Sequence, residues 1–196
     1  MRTSVCDIVL VGVGGQGVIL LSNIIGKAAL KADYQVRGAE THGMAQRGGS
    51  VMNHIRLGCN YGPLVPAGGA DVLLALEPVE ALRYAHYLSK NGIALVNTYP
   101  IHPTTVTTGQ FTYPPLEEIL TPLQRICNTL MTIDATKLAV NAGTPQAMNV
   151  VMLGALSEYI PLREEALIET LSESVPAKFL EVNRRAFELG KREVEL

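Results

Sequence analysis

The chain has 196 residues, 47% of them hydrophobic and 17% charged, with a formal net charge of −2. That length and apolar content suit a single domain with a sizeable core and exclude disorder as the main state. So small a net charge gives no electrostatic ground for nucleic-acid binding.

Val5 to Val13 (with CDIVLVGV at its centre) reads as a buried strand, continuous and β-branched. Glycines end it, and Gly17 to Lys31 follows as a helix with Val18, Leu21, Ile25, Ala28 and Ala29 near a 3.6 period. Tyr34 to Arg37 reads as a short second strand. Gly38 to Gly49 is expected as a glycine-rich polar loop. Ser50 to Leu57 alternates and predicts a strand with two different faces. Asn60, Gly62 and Pro63 break the chain before a buried strand at Asp71 to Leu76. Pro78 opens a helix expected to reach about Leu88. Gly92 to Asn97 is a further strand, and the proline- and threonine-rich residues 98–115 read as a long loop or sheet edge.

Glu117 to Leu123 predicts a short helix and Thr129 to Ile133 the last strand. Thr144 and Pro145 open a helix to about Tyr159, apolar all round and therefore buried on more than one side. Arg163 to Ser172 is amphipathic and acidic. Pro176 to Leu189 has an apolar stripe, with Gly190 as the expected stop. Alternating strands and helices predict an α/β class: a three-layer Rossmann-like fold with a mostly parallel but mixed sheet, one or two members antiparallel, and a helical C-terminus over about 145–192. One domain is expected to take up residues 1–196.

Cys6, Cys59 and Cys127 are widely spaced and form no C-x-x-C pair, which fits a reduced cytoplasmic protein rather than a zinc or iron–sulfur site. The first apolar run is too short for a membrane span and lacks a signal cleavage site, so a soluble protein is expected, with no membrane partner.

Gly12, Gly14 and Gly17 satisfy G-x-G-x-x-G after a strand and at the opening of a helix, where glycine lets a backbone approach a phosphate. Gly15 adds room, and Gln16 is expected to present its amide at the rim. The fingerprint also wants an acid at the end of the second strand. Asp33 precedes that strand and Glu40 lies beyond it. Two readings stay open, a dinucleotide site and a tight turn that binds nothing or contacts protein, and the missing acid favours the second.

Residues 40–51 gather Glu40, His42, Gly43, Gln46, Arg47, Gly48 and Gly49. His42 is of a type that titrates near neutrality, and Arg47 is suited to clamping a carboxylate or phosphate. A polar surface loop with a weak Glu40–Arg47 ion pair is the plainer reading, and composition leaves the two level. Glu77, Asn97 and Asp134 fall at expected strand ends, where ligands dock in open α/β sheets, although capping explains Glu77 and Asp134 as well. His54, His86 and His102 have no metal spacing.

The motifs GVGGQGV at 12–18, THGMAQRGGSV at 41–51, ADVLLALEPVEALRY at 70–84, AMNVVMLGAL at 147–156 and VPAKFLEVNRRAFELG at 175–190 together resemble the gamma module of 2-oxoacid:ferredoxin oxidoreductases along nearly the whole chain. The His-Gly-Met-Ala-Gln-Arg-Gly-Gly loop resembles the indolepyruvate branch of that family, in which this module stands alone as a beta subunit. The resemblance implies a non-catalytic small subunit. Its large alpha subunit is then expected to hold thiamine diphosphate, magnesium and [4Fe-4S] clusters. The complex would oxidise an aryl 2-oxoacid with coenzyme A and reduce ferredoxin. No cofactor is expected on this chain itself, and the 41–51 loop becomes the candidate wall of the substrate or coenzyme A channel. An apolar partner face left uncovered would favour a homodimer of the isolated chain. Three alternatives remain: an independent dinucleotide-binding module, a stand-alone enzyme built on Glu40, His42 and Arg47, and the same family with a branched-chain or other 2-oxoacid.

Overall fold

A computed structural model of the chain describes residues 4–41 and 48–195. Its centre is β1 (Cys6–Val13), every residue of which is buried, as a continuous β-branched run requires when both faces are covered. Helix α1 (Val18–Lys31) leads to β2 (Val36–Thr41), β3 (Ser50–Leu57) and β4 (Ala70–Ala75). Next come α2 (Pro78–Arg83), β5 (Leu88–Asn97), α3 (Thr104–Thr107), α4 (Leu116–Ile126) and β6 (Thr129–Ile133). Four helices close the chain: α5 (Ala135–Ala142), α6 (Met148–Ser157), α7 (Glu164–Ser174) and α8 (Leu180–Val194).

The strands form one sheet in the order β2-β3-β1-β4-β5-β6. β1, β4, β5 and β6 pair in parallel, while β3 pairs antiparallel with both β1 and β2. The sheet is mixed, with one reversed member. Its pleat divides the core. Ile8, Leu10, Leu74 and Leu95 pack with α1 and the C-terminal helices, and Val9, Val11, Leu73 and Val96 pack on the side of α2 and α4. Each such side chain, fully buried, contributes roughly 1.5–3 kcal/mol. Among the described residues no helix is long and apolar enough to cross a membrane.

Several elements depart from expectation. β2 begins at Val36 and runs to Thr41, so residues 38–41 are strand rather than loop. Helix α2 stops at Arg83, a 3-10 turn covers Ala85–Tyr87, and β5 starts at Leu88 with a register shift against β4. Asp134 caps a full helix rather than a turn: its Oδ1 accepts the Lys137 N–H at 3.0 Å, and Ala135, Ala139 and Ala142 bury a small-residue face. Within 98–115, Thr104–Thr107 forms one helical turn. Gly190 does not stop the last helix. A Cβ there would lie 1.8 Å from the Val151 carbonyl oxygen, and one on Gly154 would lie 1.9 Å from that of Phe187. These glycines let α6 and α8 touch backbone to backbone, which also explains the all-apolar α6. It is sandwiched within the helical layer, and all ten of its residues are buried.

Candidate functional site

The parallel strands all end at one edge of the sheet, and the glycine turn lies there. Gly12 is still within β1, where a Cβ would meet Gln16 Oε1 at 2.9 Å. Gly14 and Gly15 make the turn, and Gly17 caps α1 in the left-handed region with φ 84°. Gln16 is not at the rim. Its Oε1 accepts the Val13 N–H at 2.7 Å and its Nε2 donates to the Leu76 carbonyl at 2.8 Å, so the amide is spent joining the ends of β1 and β4. Asn97 donates to the same Leu76 oxygen at 3.0 Å and accepts from the Ala135 N–H at 3.1 Å. A hydrogen-bonded brace therefore runs along this edge from β1 to the start of α5.

The turn also holds the second glycine segment. The Gly14 N–H donates to the Gly49 carbonyl at 2.8 Å, and the Gly48 N–H donates to the Gly14 carbonyl at 3.3 Å. Gly12, Gly14, Gly15, Gln16, Gly17, Gly48 and Gly49 thus converge. Glu40 is exposed near the end of β2, opposite Asn53 in the register. His42, Gly43, Gln46 and Arg47 lie outside the described residues. Asp33, with φ 61°, ends α1 at the opposite edge of the sheet, far from any strand-end role.

The N-terminus of α1 has no side-chain cap. Above it stands Asn149 of α6, 6% exposed, whose Nδ2 would lie 2.2 Å from a Cβ on Gly17. Among the described residues the Asn149 amide makes no hydrogen bond, and unlike that of Asn53 it is open to the cavity rather than sealed in the core. Uncapped helix N–H groups and an unspent amide face a cavity of about 270 Å³ that Tyr99, Ile101 and Thr136 also line. Such an arrangement suits an anionic group such as a phosphate. Asn149 was missed by sequence reasoning, although an asparagine inside the apolar run AMNVVMLGAL was a visible signal.

A second cleft, of about 650 Å³, opens between α2 and residues 101–114. Glu77, 2% exposed, caps α2 through the Glu80 N–H at 3.0 Å, and its other oxygen accepts from Ile101 N–H and the Tyr113 hydroxyl. Glu80 accepts from Ser50 and Arg83, and Ser50 also bonds Tyr84. Burial, with Glu77 beside it, pushes the Tyr113 hydroxyl pKa up, so the phenol stays a donor. Neither Cys6 nor Cys127 is poised to react: burial, with help from Asp71 and Asp7, pushes Cys6 up to about 12, and burial also raises Cys127. Of the histidines, His86 and His102 are exposed, whereas His54 is buried and accepts the Val65 N–H on Nδ1 at 3.3 Å. Among the described residues no cluster of three His, Cys, Asp or Glu side chains has metal-binding geometry.

The model of the family "Pyruvate ferredoxin/flavodoxin oxidoreductase" matches residues 7–193. The chain is 49% identical over 188 residues to the indolepyruvate oxidoreductase subunit IorB of Thermococcus kodakarensis, covering 94% of this chain and 93% of that one. Among solved structures it is similar to the gamma subunit of the keto/oxoacid ferredoxin oxidoreductase of Geobacter sulfurreducens (TM-score 0.71, 24% identity, 97% and 98% of the two chains). It also matches 32% of the longer chain of the 2-oxoglutarate:ferredoxin oxidoreductase of Magnetococcus marinus, solved with 2-oxoglutarate, coenzyme A and succinyl-CoA (TM-score 0.74, 22% identity, 99% of this chain). The chain therefore belongs to the pyruvate ferredoxin/flavodoxin oxidoreductase family, as a gamma-type small subunit of the 2-oxoacid:ferredoxin oxidoreductases.

Proposed function

We propose that this chain is the small subunit of an indolepyruvate:ferredoxin oxidoreductase in the cytoplasm, and that its carboxyl edge forms one wall of the coenzyme A channel. The observation that carries the assignment is the 49% identity to an indolepyruvate oxidoreductase subunit across nearly the full length of both chains. In this reading the complex decarboxylates an aryl 2-oxoacid, passes the electrons to ferredoxin and leaves the acyl group on coenzyme A. The large subunit holds thiamine diphosphate, its magnesium and the [4Fe-4S] clusters. The donor set here does not fit a cluster: its three cysteines lie in β1, after β3 and after α4, with no common site. The open N-terminus of α1, with Asn149 above Gly17, supports the channel role, because it offers N–H dipoles to a phosphate without any acid lining the cavity.

The test is reconstitution with the large subunit, following viologen reduction that depends on both indolepyruvate and coenzyme A. Activity only when both chains are present supports the reading. Activity with branched-chain 2-oxoacids instead would keep the family and change the substrate. Absence of any complex, with NAD(P) or FAD bound by the isolated chain, would favour an independent dinucleotide module. The geometry disfavours that module. Glu40 does sit near the end of β2, where the fingerprint wants an acid, but β3 lies between β2 and β1. Glu40 is therefore two strand spacings, roughly 10 Å, from the end of β1.

A further inference from the structure

We propose that Glu77 and Tyr113 form a latch that positions residues 98–115 as the second wall of the carboxyl-edge cavities. The inference rests on the coenzyme A channel reading and names residues that serve it by positioning the wall.

The segment leaves the sheet at Thr98, whose N–H still donates to Ile133 at 2.9 Å, and at Tyr99, which bonds Asn97. Beyond that point its backbone bonds turn inward on themselves, from Pro103 to Phe111. Its ties to the rest of the protein then converge on one carboxylate. Glu77 Oε1 accepts the Ile101 N–H at 3.3 Å and the Tyr113 hydroxyl at 2.5 Å, one near each end of the segment.

Glu77 is fixed in turn by capping α2 through Oε2. A carboxylate held at a helix start is a rigid acceptor, and hydrogen bonds to a charged group are stronger than neutral ones. Ile101 is the residue whose position matters most, because it lines both the cavity beside Gly15–Gly17 and the larger cleft beside Glu80. Tyr99, 53% exposed, lines the first cavity two residues before it. Loosening Tyr113 frees one end of the segment and leaves the glycine turn, Gln16 and Asn149 as they are.

Tyr113→Phe in the reconstituted complex is the test, with Asn149→Ala as the reference variant for the channel itself. Asn149→Ala should raise KM for coenzyme A. Tyr113→Phe should raise it about fivefold, with kcat within about twofold, and should speed hydrogen exchange of the Ile101 amide by a similar factor, as loss of one hydrogen bond implies. A role in stability alone would not split KM from kcat in this way. If Asn149→Ala raises KM and Tyr113→Phe speeds exchange at Ile101 without moving KM, the latch is refuted and the channel stands. If neither variant moves KM, the channel reading falls and takes the latch with it. Should Tyr113→Phe fail to assemble, Glu77→Gln carries the same comparison, since it keeps the shape of the side chain and one acceptor oxygen.

Discussion

The two edges of the sheet use polar side chains in opposite ways. At the amino edge, Arg56 grips both oxygens of Asp7 at 2.9 and 2.8 Å, and its remaining nitrogen reaches the carbonyls of Gly62 and Leu64. Asp71 accepts the Asp7 N–H at 2.8 Å. The charged groups there are spent tying β1, β3, β4 and the 58–69 loop together. At the carboxyl edge Gln16, Asn97 and Glu77 also brace the strands, yet among the described residues the Asn149 amide makes no hydrogen bond and faces a cavity beside an uncapped helix and a positive-φ glycine. One edge is thus tied shut by its own charged groups, while the other leaves an amide and helix N–H groups facing a cavity, which supports the ligand role proposed for that edge.

Breaking the closed edge should have the largest effect. Arg56→Met would strand the Asp7 carboxylate, 9% exposed, without its partner. Removal of one member of a buried pair costs 3–5 kcal/mol, and about 3 is expected here because the guanidinium keeps some solvent. In thermal unfolding that is a fall of roughly 6–12 °C for a domain of this size. KM for coenzyme A in the assembled complex should stay where it was. A shift in KM as large as that from a carboxyl-edge variant would erase the distinction between the edges.

Gly17→Ala tests the open edge. The new Cβ must adopt φ 84° and would meet Asn149 Nδ2 at 2.2 Å, so a loss of roughly 1–3 kcal/mol is expected, smaller than that of Arg56→Met. Here the kinetic damage should exceed the damage to stability, with KM for coenzyme A rising beyond the level of Asn149→Ala. Equal damage to both would make the turn merely structural.

The middle of the sheet supplies a control. Asn53 in β3 is wholly buried, between Leu10 and Glu40 in the register, and among the described residues neither atom of its amide has a partner. Asn53→Val removes the unpaired polar group and suits a strand, so the denaturation midpoint should rise, by about 1 kcal/mol of stability. A fall instead would mean that the amide is satisfied in solution, and that an unpaired amide at Asn149 is weaker evidence for a ligand.

How much of this was legible in the sequence follows from the range of each interaction. The turn at 12–17 was readable because glycine spacing after a buried strand is a local signal. The inward direction of Gln16 was not, since its partner Leu76 is sixty residues away. Nor was the insertion of β3 between β1 and β2, which is a matter of strand order and moves Glu40 away from the turn. Gly190 looked like a helix stop because its real cause, the Val151 carbonyl of another helix, is absent from the local pattern. Helix α5 was missed because alanines at 135, 139 and 142 bury little surface each and leave a faint periodicity. The polar strand ends at Glu77 and Asn97 were visible, and their partners in the 98–115 segment were not.

The smallest expected effect concerns pH at the closed edge. His54 holds the 58–69 loop by accepting the Val65 N–H on Nδ1, with the Tyr87 ring packed edge-on at 5.2 Å. Burial, and then the charge of Arg56, lowers its pKa below the ordinary value of 6.5. The unfolded chain therefore takes up this proton at a higher pH than the native one does. Stability from His54 is fully present above about pH 6.5 and drains away as pH falls from there toward the native pKa. Protonation would also turn the Nδ1 acceptor into a donor facing the Val65 N–H, so loss of charge balance and loss of the loop tie coincide. His54→Asn keeps an acceptor and cannot titrate. Urea midpoints between pH 5 and 8 should fall less steeply for that variant than for the parent. Parallel curves would show that the amino edge stays closed without regard to this histidine, leaving the loop to Arg56 and to the backbone bonds from Gly58 to Gln35 and from Gly68 to His86.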